Sequence, residues 1–136
     1  MKKKFQVSIF TPYGKYLVTY CDYLSTSTDV GVIGILPDHA PLISTLEISR
    51  LIIKNDNATN HYAIGGGVIH IKKDHSVTLL VNSIEKSDEI DIERAKAAQK
   101  KAEEEIKNGD LDSKEIQRAR IHLLRALNRI NVSSNN

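Results

Sequence analysis

The chain has 136 residues, 40% of them hydrophobic, with a formal net charge of +2, a single Cys and no Trp. That length and apolar content support one domain, or one small domain with an appendage, and exclude a disordered chain. The charge is too small to argue for a nucleic-acid partner, the 5% of aromatic residues leaves little for base stacking, and no apolar run approaches the roughly 20 residues of a membrane helix.

The opening "MKKKFQVSIF" is basic, but Gln6 and Ser8 interrupt its apolar run. The alternation reads as a strand with Phe5, Val7 and Ile9 on one face, not as a signal sequence, which suits a cytosolic chain. Cys21 cannot form an internal disulfide and reads as core filler in a reducing compartment. "TPYG" follows the first strand and supplies Pro12 and Gly14 for a tight turn. Then come "KYLVTYCDYLS", "GVIGIL", "ISRLIIK", "HYAIGGGVIHIKK" and "SVTLLVNSI", the last three separated by the hairpin loops "NDNATN" and "KDHS". Strands this short and frequent predict about eight to ten of them, in an antiparallel sandwich or flattened barrel.

Near Ile84 the pattern changes, and after Ser87 the period is helical. The expected fold is α+β: an antiparallel beta-sandwich over residues 1–86, then a helical hairpin over residues 87–136 with a short disordered tail. In the first helix Ile92, Ala95, Ala98, Ala102 and Ile106 share a face. "KNGDLD" breaks the pattern, with Gly109 suited to a left-handed C-terminal cap. Asp112 and Glu115 form a candidate capping box for the second helix, whose face carries Ile116, Ala119, Leu123, Ala126, Leu127 and Ile130. So short a link predicts antiparallel helices. Each helix has only one narrow apolar face, so the hairpin must rest on the sandwich, on another protein, or on each at different times. A movable arm and a permanently docked one both fit the pattern.

Charge is balanced on the first helix and basic on the second, where Lys114, Arg118, Arg120, Arg125 and Arg129 outnumber Asp112 and Glu115. Arg118, His122, Arg125 and Arg129 fall on one stripe, about 120° from the centre of the apolar one. Arg in place of Lys favours carboxylate or phosphate, which the guanidinium fork binds bidentately, over a merely solvated face. "IDIERA", Ile90 to Ala95, opens the first helix. Asp91 suits its N-cap, and Arg94 is close enough to share a helix-end site with it.

Catalytic motifs are missing. "GGG" at Gly65 to Gly67 lacks the phosphate-loop pattern and sits in a strand-like run, where glycine marks a bulge or close backbone approach. The histidines show no tight ligand spacing, one Cys gives no metal cluster, and GxSxG is absent. A small nucleotide-hydrolysing enzyme would need a general base and a metal site that the residues do not supply. A free-standing adapter whose hairpin binds some other helical protein remains compatible.

From roughly residue 4 to 131 the sequence resembles the epsilon subunit of bacterial F-type ATP synthases. "TPYG" is similar to that family's TPxG, and "GVIGILPDHAPLI" to its GxxGILPxHxPL segment. "YAIGGGVIHI" resembles its glycine-containing strand, and "DIERAKAAQKKAEEEI" and "LLRALNRI" resemble its two C-terminal helices. The resemblance implies a non-catalytic rotor subunit. Its sandwich would bind the central-stalk gamma subunit and the c-ring, and its hairpin would extend into the alpha/beta catalytic head to impede ATP hydrolysis. It would be peripheral on the cytoplasmic face of the cell membrane, with no segment inserted and no cofactor or metal required. Pro37, His39 and Pro41 would shape the sandwich and its subunit contact, and Arg118, Arg120 and His122 would meet partner subunits. Some family members carry an I(L)DxxRA motif that binds ATP as a regulatory ligand. Ile90, Asp91, Arg94 and Ala95 match it, and Glu85, Arg125 and Arg129 match the residues that complete such a site.

Overall fold

The computed structural model describes residues 3–108 and 112–134. The chain divides into two compact units, Met1–Lys86 and Ser87–Asn136. The first contains β1 (Phe5–Thr11), β2 (Gly14–Cys21), β3 (Tyr23–Thr28), β4 (Gly31–Ile35), β5 (Leu42–Asn55), β6 (Ala58–Ile71), β7 (Val77–Val81) and β8 (Ile84–Lys86). The strands run in the order β2-β1-β7-β6-β5-β3-β4, and β8 pairs with β6 beside β7. Every pairing is antiparallel except that of β1 with β7, which is parallel. Alternation cannot reveal that exception, because it reports which face a residue takes and not which way its neighbour runs.

β5 and β6 are 14 residues each and serve both layers. β7 pairs with Gly67–Ile71 of β6 and β8 with Tyr62–Ile64, so the strand changes neighbours midway. The change falls at the three glycines. Gly67 has φ +150°, and a Cβ built on it would lie 2.0 Å from the Leu80 carbonyl oxygen. A Cβ on Gly65 would lie 2.2 Å from Ser83 Oγ. The expected close backbone approach is therefore present. It lets the sheet fold over on itself, so that Val7, Ile9, Ile69 and Leu79 join Leu24, Ile35, Leu51 and Ile64 in one core. Cys21 is part of that core, where burial pushes its thiol up to about 12, which makes it filler rather than a nucleophile.

The turns follow residue chemistry. Asp56 takes φ 56° between Asn55 and Ala58, which face each other across a two-residue hairpin. Its N–H donates to Asp22 Oδ2 at 2.7 Å, and its carboxylate meets Lys4 Nζ at 2.9 Å. At "TPYG", Thr11 Oγ1 accepts the Tyr13 N–H at 3.1 Å and Gly14 takes φ +115°.

The second unit opens with a single 3-10 turn, Ser87–Glu89, followed by α1 (Ile92–Lys107) and α2 (Ser113–Ser134), which pack together as a hairpin. Asn108 caps α1, its N–H donating to the Glu104 carbonyl at 3.0 Å. The expected cap residue Gly109 lies outside the described residues, as do residues 135–136 of the expected tail. Asp112 Oδ1 accepts the Glu115 N–H at 2.8 Å, which is one half of the capping box. The seam is built on alanine: Ala95 and Ala102 of α1, and Ala119 and Ala126 of α2, are buried. Ile92 and Leu127, expected on the same faces, are 39% and 41% exposed. Small residues at seven-residue steps let the helices approach closely, and the larger side chains then flank the seam.

Replacing Gly67 with Ala should lower the stability of the sandwich by about 2 kcal/mol or more, because the new methyl meets a backbone carbonyl and not a movable side chain. Urea unfolding of Gly67→Ala against the parent measures it. A difference within a few tenths of a kcal/mol would mean that β7 can shift freely.

Candidate functional site

Asp91 ends the extended segment before α1 with φ −80° and ψ 99°, the backbone of an N-cap. Its Oδ1 accepts the Arg94 N–H at 3.1 Å, and its carbonyl accepts the Ala95 N–H at 3.0 Å. Asp91 and Arg94 are exposed, while Ile90 just before them is buried. The apolar residue anchors the entry to the helix, and the two polar ones stand in solvent beside the unpaired N–H groups of the first turn.

Because the hairpin is antiparallel, counting back equally from Lys107 and Ser113 sets Ala95 and Ala102 within one residue of Ala126 and Ala119. The four alanines buried in the seam agree with this register. By the same count Arg125 lies level with Ala95, and Arg129 with Asp91, so both α2 arginines belong to the end of the hairpin that carries Asp91 and Arg94. Arg125 is exposed and Arg129 half-buried. Arg118 and His122 continue the basic stripe toward the link, with Arg118 about 10 Å along the axis from Arg125. Arg118, Arg120 and His122 are all exposed. Glu85 belongs to the other unit, half-buried on β8 in register with Ala63.

Pro37, His39 and Pro41 lie in the loop from β4 to β5. Asp38 there takes φ 68°. His39 Nδ1 donates to the Ala40 carbonyl at 2.7 Å, and His75 Nδ1, from the β6–β7 turn, donates to the His39 carbonyl at 3.0 Å. Lys3 pairs with Asp38 and holds its carboxyl below the usual carboxylate range. Both imidazoles are spent on backbone carbonyls, which fixes the loop and leaves Pro41 exposed at its end.

One surface escaped the sequence reading. Phe10, Leu80, Val68 and Thr45 lie side by side across β1, β7, β6 and β5. Val18, Ser8, Thr78, His70 and Ile43 form the next row. Leu80 is 54% and Ile43 68% exposed, and neither row holds a Lys, Arg, Asp or Glu. The signal was present as apolar residues at outward positions of the alternation, but only the strand order joins them into a patch. Further along β5 and β6 the outward positions turn basic. Arg50 meets His61 Nδ1 at 3.5 Å, and Lys54 Nζ lies 5.3 Å from the centre of the Tyr23 ring. Burial, then the Arg50 and Lys54 charges, pull the His61 imidazole below its ordinary value. Among the described residues no cluster of His, Cys, Asp and Glu could hold a metal ion, and no helix is long and apolar enough to cross a membrane.

Comparison with known proteins decides the family. The beta-sandwich domain of the ATP synthase delta/epsilon chain matches residues 4–87, and the long alpha-helix domain of the same chain matches residues 88–134. The chain belongs to the ATP synthase delta/epsilon family. It is a non-catalytic subunit of that complex. The ATP synthase epsilon chain of Citrifermentans bemidjiense is 38% identical over 133 residues, covering 98% of this chain and 96% of its own. That of Bacillus licheniformis is 37% identical over 131 residues, covering 96% and 98%. The fold is shared with a chain of the Euglena gracilis mitochondrial ATP synthase, at a TM-score of 0.83 and 17% identity over 98% of this chain and 82% of that one. A chain of the Tetrahymena thermophila mitochondrial ATP synthase central stalk and c-ring gives 0.62 and 18%, over 98% and 96%.

Two measurements follow from the geometry. Asp91→Ala removes the cap and should cost about 1 kcal/mol of hairpin stability, seen as an earlier loss of helical circular dichroism on heating, whereas Asp91→Asn should be nearly neutral. Equal losses in both variants would show that charge, not capping, sustains the first turn. For His61, the unfolded chain takes up the proton more readily than the folded one. Stability is therefore complete above the ordinary pKa of 6.5 and declines as the pH falls below it. His61→Gln should flatten the fall of the thermal midpoint through that window, and an unaltered slope would assign the acid sensitivity to other groups.

Proposed function

We propose that the chain is a central-stalk subunit of a proton-translocating F-type synthase, and that its hairpin is an ATP-responsive brake on hydrolysis. In this reading the sandwich turns with the rotor, peripheral to the cytoplasmic face of the membrane, and contacts the gamma subunit and the c-ring. The uncharged patch of Phe10, Val68, Leu80 and Ile43 suits a permanent protein contact, since it can be covered without desolvating a charge. The loop of Pro37, His39 and Pro41 borders β5 at the end where Ile43 lies, and its main-chain hydrogen bonds give a rigid edge to dock against.

The hairpin would have two states. Extended, it reaches the alpha/beta head, and the exposed Arg118, Arg120 and His122 meet acidic surfaces there. Folded, it is held by ATP, which is bound and not hydrolysed. What supports this is the antiparallel count that sets Arg125 and Arg129 level with the first turn of α1, where Asp91 accepts one N–H and keeps a second carboxylate oxygen. That oxygen can accept from the adenine amino group. Arg94 can stack on the base or donate to the ribose, and Arg125 and Arg129 can bind phosphate oxygens bidentately. The positive end of α1 adds to the attraction. Ile90 sets the entry to the turn.

A ligand bound only by the folded hairpin adds RT ln(1 + [L]/Kd), about 2.7 kcal/mol at a hundredfold excess over Kd. Calorimetric titration of the chain with ATP and then ADP is the test. ATP-selective binding should be weakened at least tenfold by Arg125→Ala and by Asp91→Asn, which spares the cap. If neither variant differs from the parent, the site lies elsewhere. If no heat appears at millimolar ATP, the hairpin answers to its protein partners alone.

A further inference from the structure

Beside the "TPYG" turn lies a cleft of about 350 Å³, lined by Tyr13, Lys15, Tyr16, Asn82, Ser83 and Ile84. None of its lining residues is a nucleotide-site residue, although Ile84 directly precedes Glu85 in the chain. Its walls are held from several directions. The Tyr13 N–H is tied to Thr11 Oγ1, and the Tyr16 ring meets the Tyr62 ring edge-on at 6.3 Å between centres. On the other side, the Asn82 N–H donates to the Gly66 carbonyl at 2.9 Å, and the Gly65 N–H donates to the Ser83 carbonyl at 3.0 Å. The Asn82 amide also donates to the Gly65 carbonyl at 3.3 Å. The glycines that fold the sheet thus fix the Asn82–Ser83 wall, while the Tyr13 side chain stands fully exposed at the mouth of the cleft.

The lining has a definite chemistry. Two tyrosine rings and Ile84 offer apolar and aromatic area. Lys15 is the one charged lining residue, and among the described residues its ammonium has neither an ion pair nor a hydrogen bond. Asn82 keeps its carbonyl oxygen, and Ser83 its hydroxyl, for a further hydrogen bond. A lysine that makes no ion pair, next to aromatic side chains and at the lower end of the size range of ligand pockets, suits a ring bearing a negative charge.

We propose that this cleft binds a small aromatic carboxylate. The ring lies against Tyr13 and Tyr16, the carboxylate meets Lys15 Nζ, and a ring hydroxyl is met by Asn82 and Ser83. The test is a titration of the full ¹⁵N-labelled chain with 4-hydroxybenzoate, followed by amide shifts, with neutral 4-hydroxybenzamide and then acetate as comparators. The expected result is saturable shifts confined to Thr11–Tyr16 and Asn82–Ile84. 4-Hydroxybenzamide should bind about tenfold more weakly, as the loss of one charge-assisted contact implies, and acetate should not saturate. Lys15→Gln should remove the preference for the anion, and Tyr13→Ala should weaken both aromatic probes. Both side chains are exposed, so neither substitution threatens the fold. No saturable shift with 4-hydroxybenzoate, or equal affinity for the parent and Lys15→Gln, would overturn the site.

Discussion

The contact on which the sandwich depends is the approach of the Leu80 carbonyl to Gly67, where a methyl group would come within 2.0 Å of the oxygen. A continuous sheet of strands cannot enclose a core while it stays flat. β6 solves this by changing partners at its glycines, pairing with β7 on one side of them and β8 on the other. The inward residues of β1, β6 and β7 then close over those of β3, β4 and β5. The same segment fixes Asn82 and Ser83, so the element that makes the core also shapes a surface cleft.

The hairpin is held by a different and weaker force. Four alanines form the buried centre of its seam. At about 0.8 kcal/mol per methyl, their burial contributes about 3 kcal/mol, where four leucines would contribute two or three times as much. The caps at Asp91 and Asp112 add about 1 kcal/mol each. A linkage term of the size proposed for ATP is comparable with the contribution of these four alanines, to which the buried Val132 adds. Such a hairpin can answer to a ligand that a leucine-packed one would ignore.

Much of this was legible in the residues. Alternation found the strands, and the tight turn at Pro12 fell where its chemistry required, while the expected loop "NDNATN" narrowed to the two residues between Asn55 and Ala58. The caps were read correctly because an aspartate three residues ahead of the N–H it accepts is a local arrangement. The reading failed where short-range order gives no signal. "SVTLLVNSI" proved to be two strands with different roles, since nothing local says that Asn82 and Ser83 must face the glycines of β6. Leu127 was placed in the seam by its period, but how closely two helices approach depends on both of them at once.

The sequence by itself determined most of the secondary structure, the change from strand to helix near Ile84, and the family resemblance. Each rests on the order and spacing of residues near one another along the chain, where backbone sterics and side-chain periodicity act. Only the tertiary structure decided that β1 runs parallel to β7, that Phe10, Leu80 and Val68 merge into one uncharged patch, and that Lys15 stands beside two tyrosines at a cleft. These are encounters between segments far apart in the chain. Their selection depends on how the whole sheet folds around its core, a constraint that no window of neighbouring residues contains.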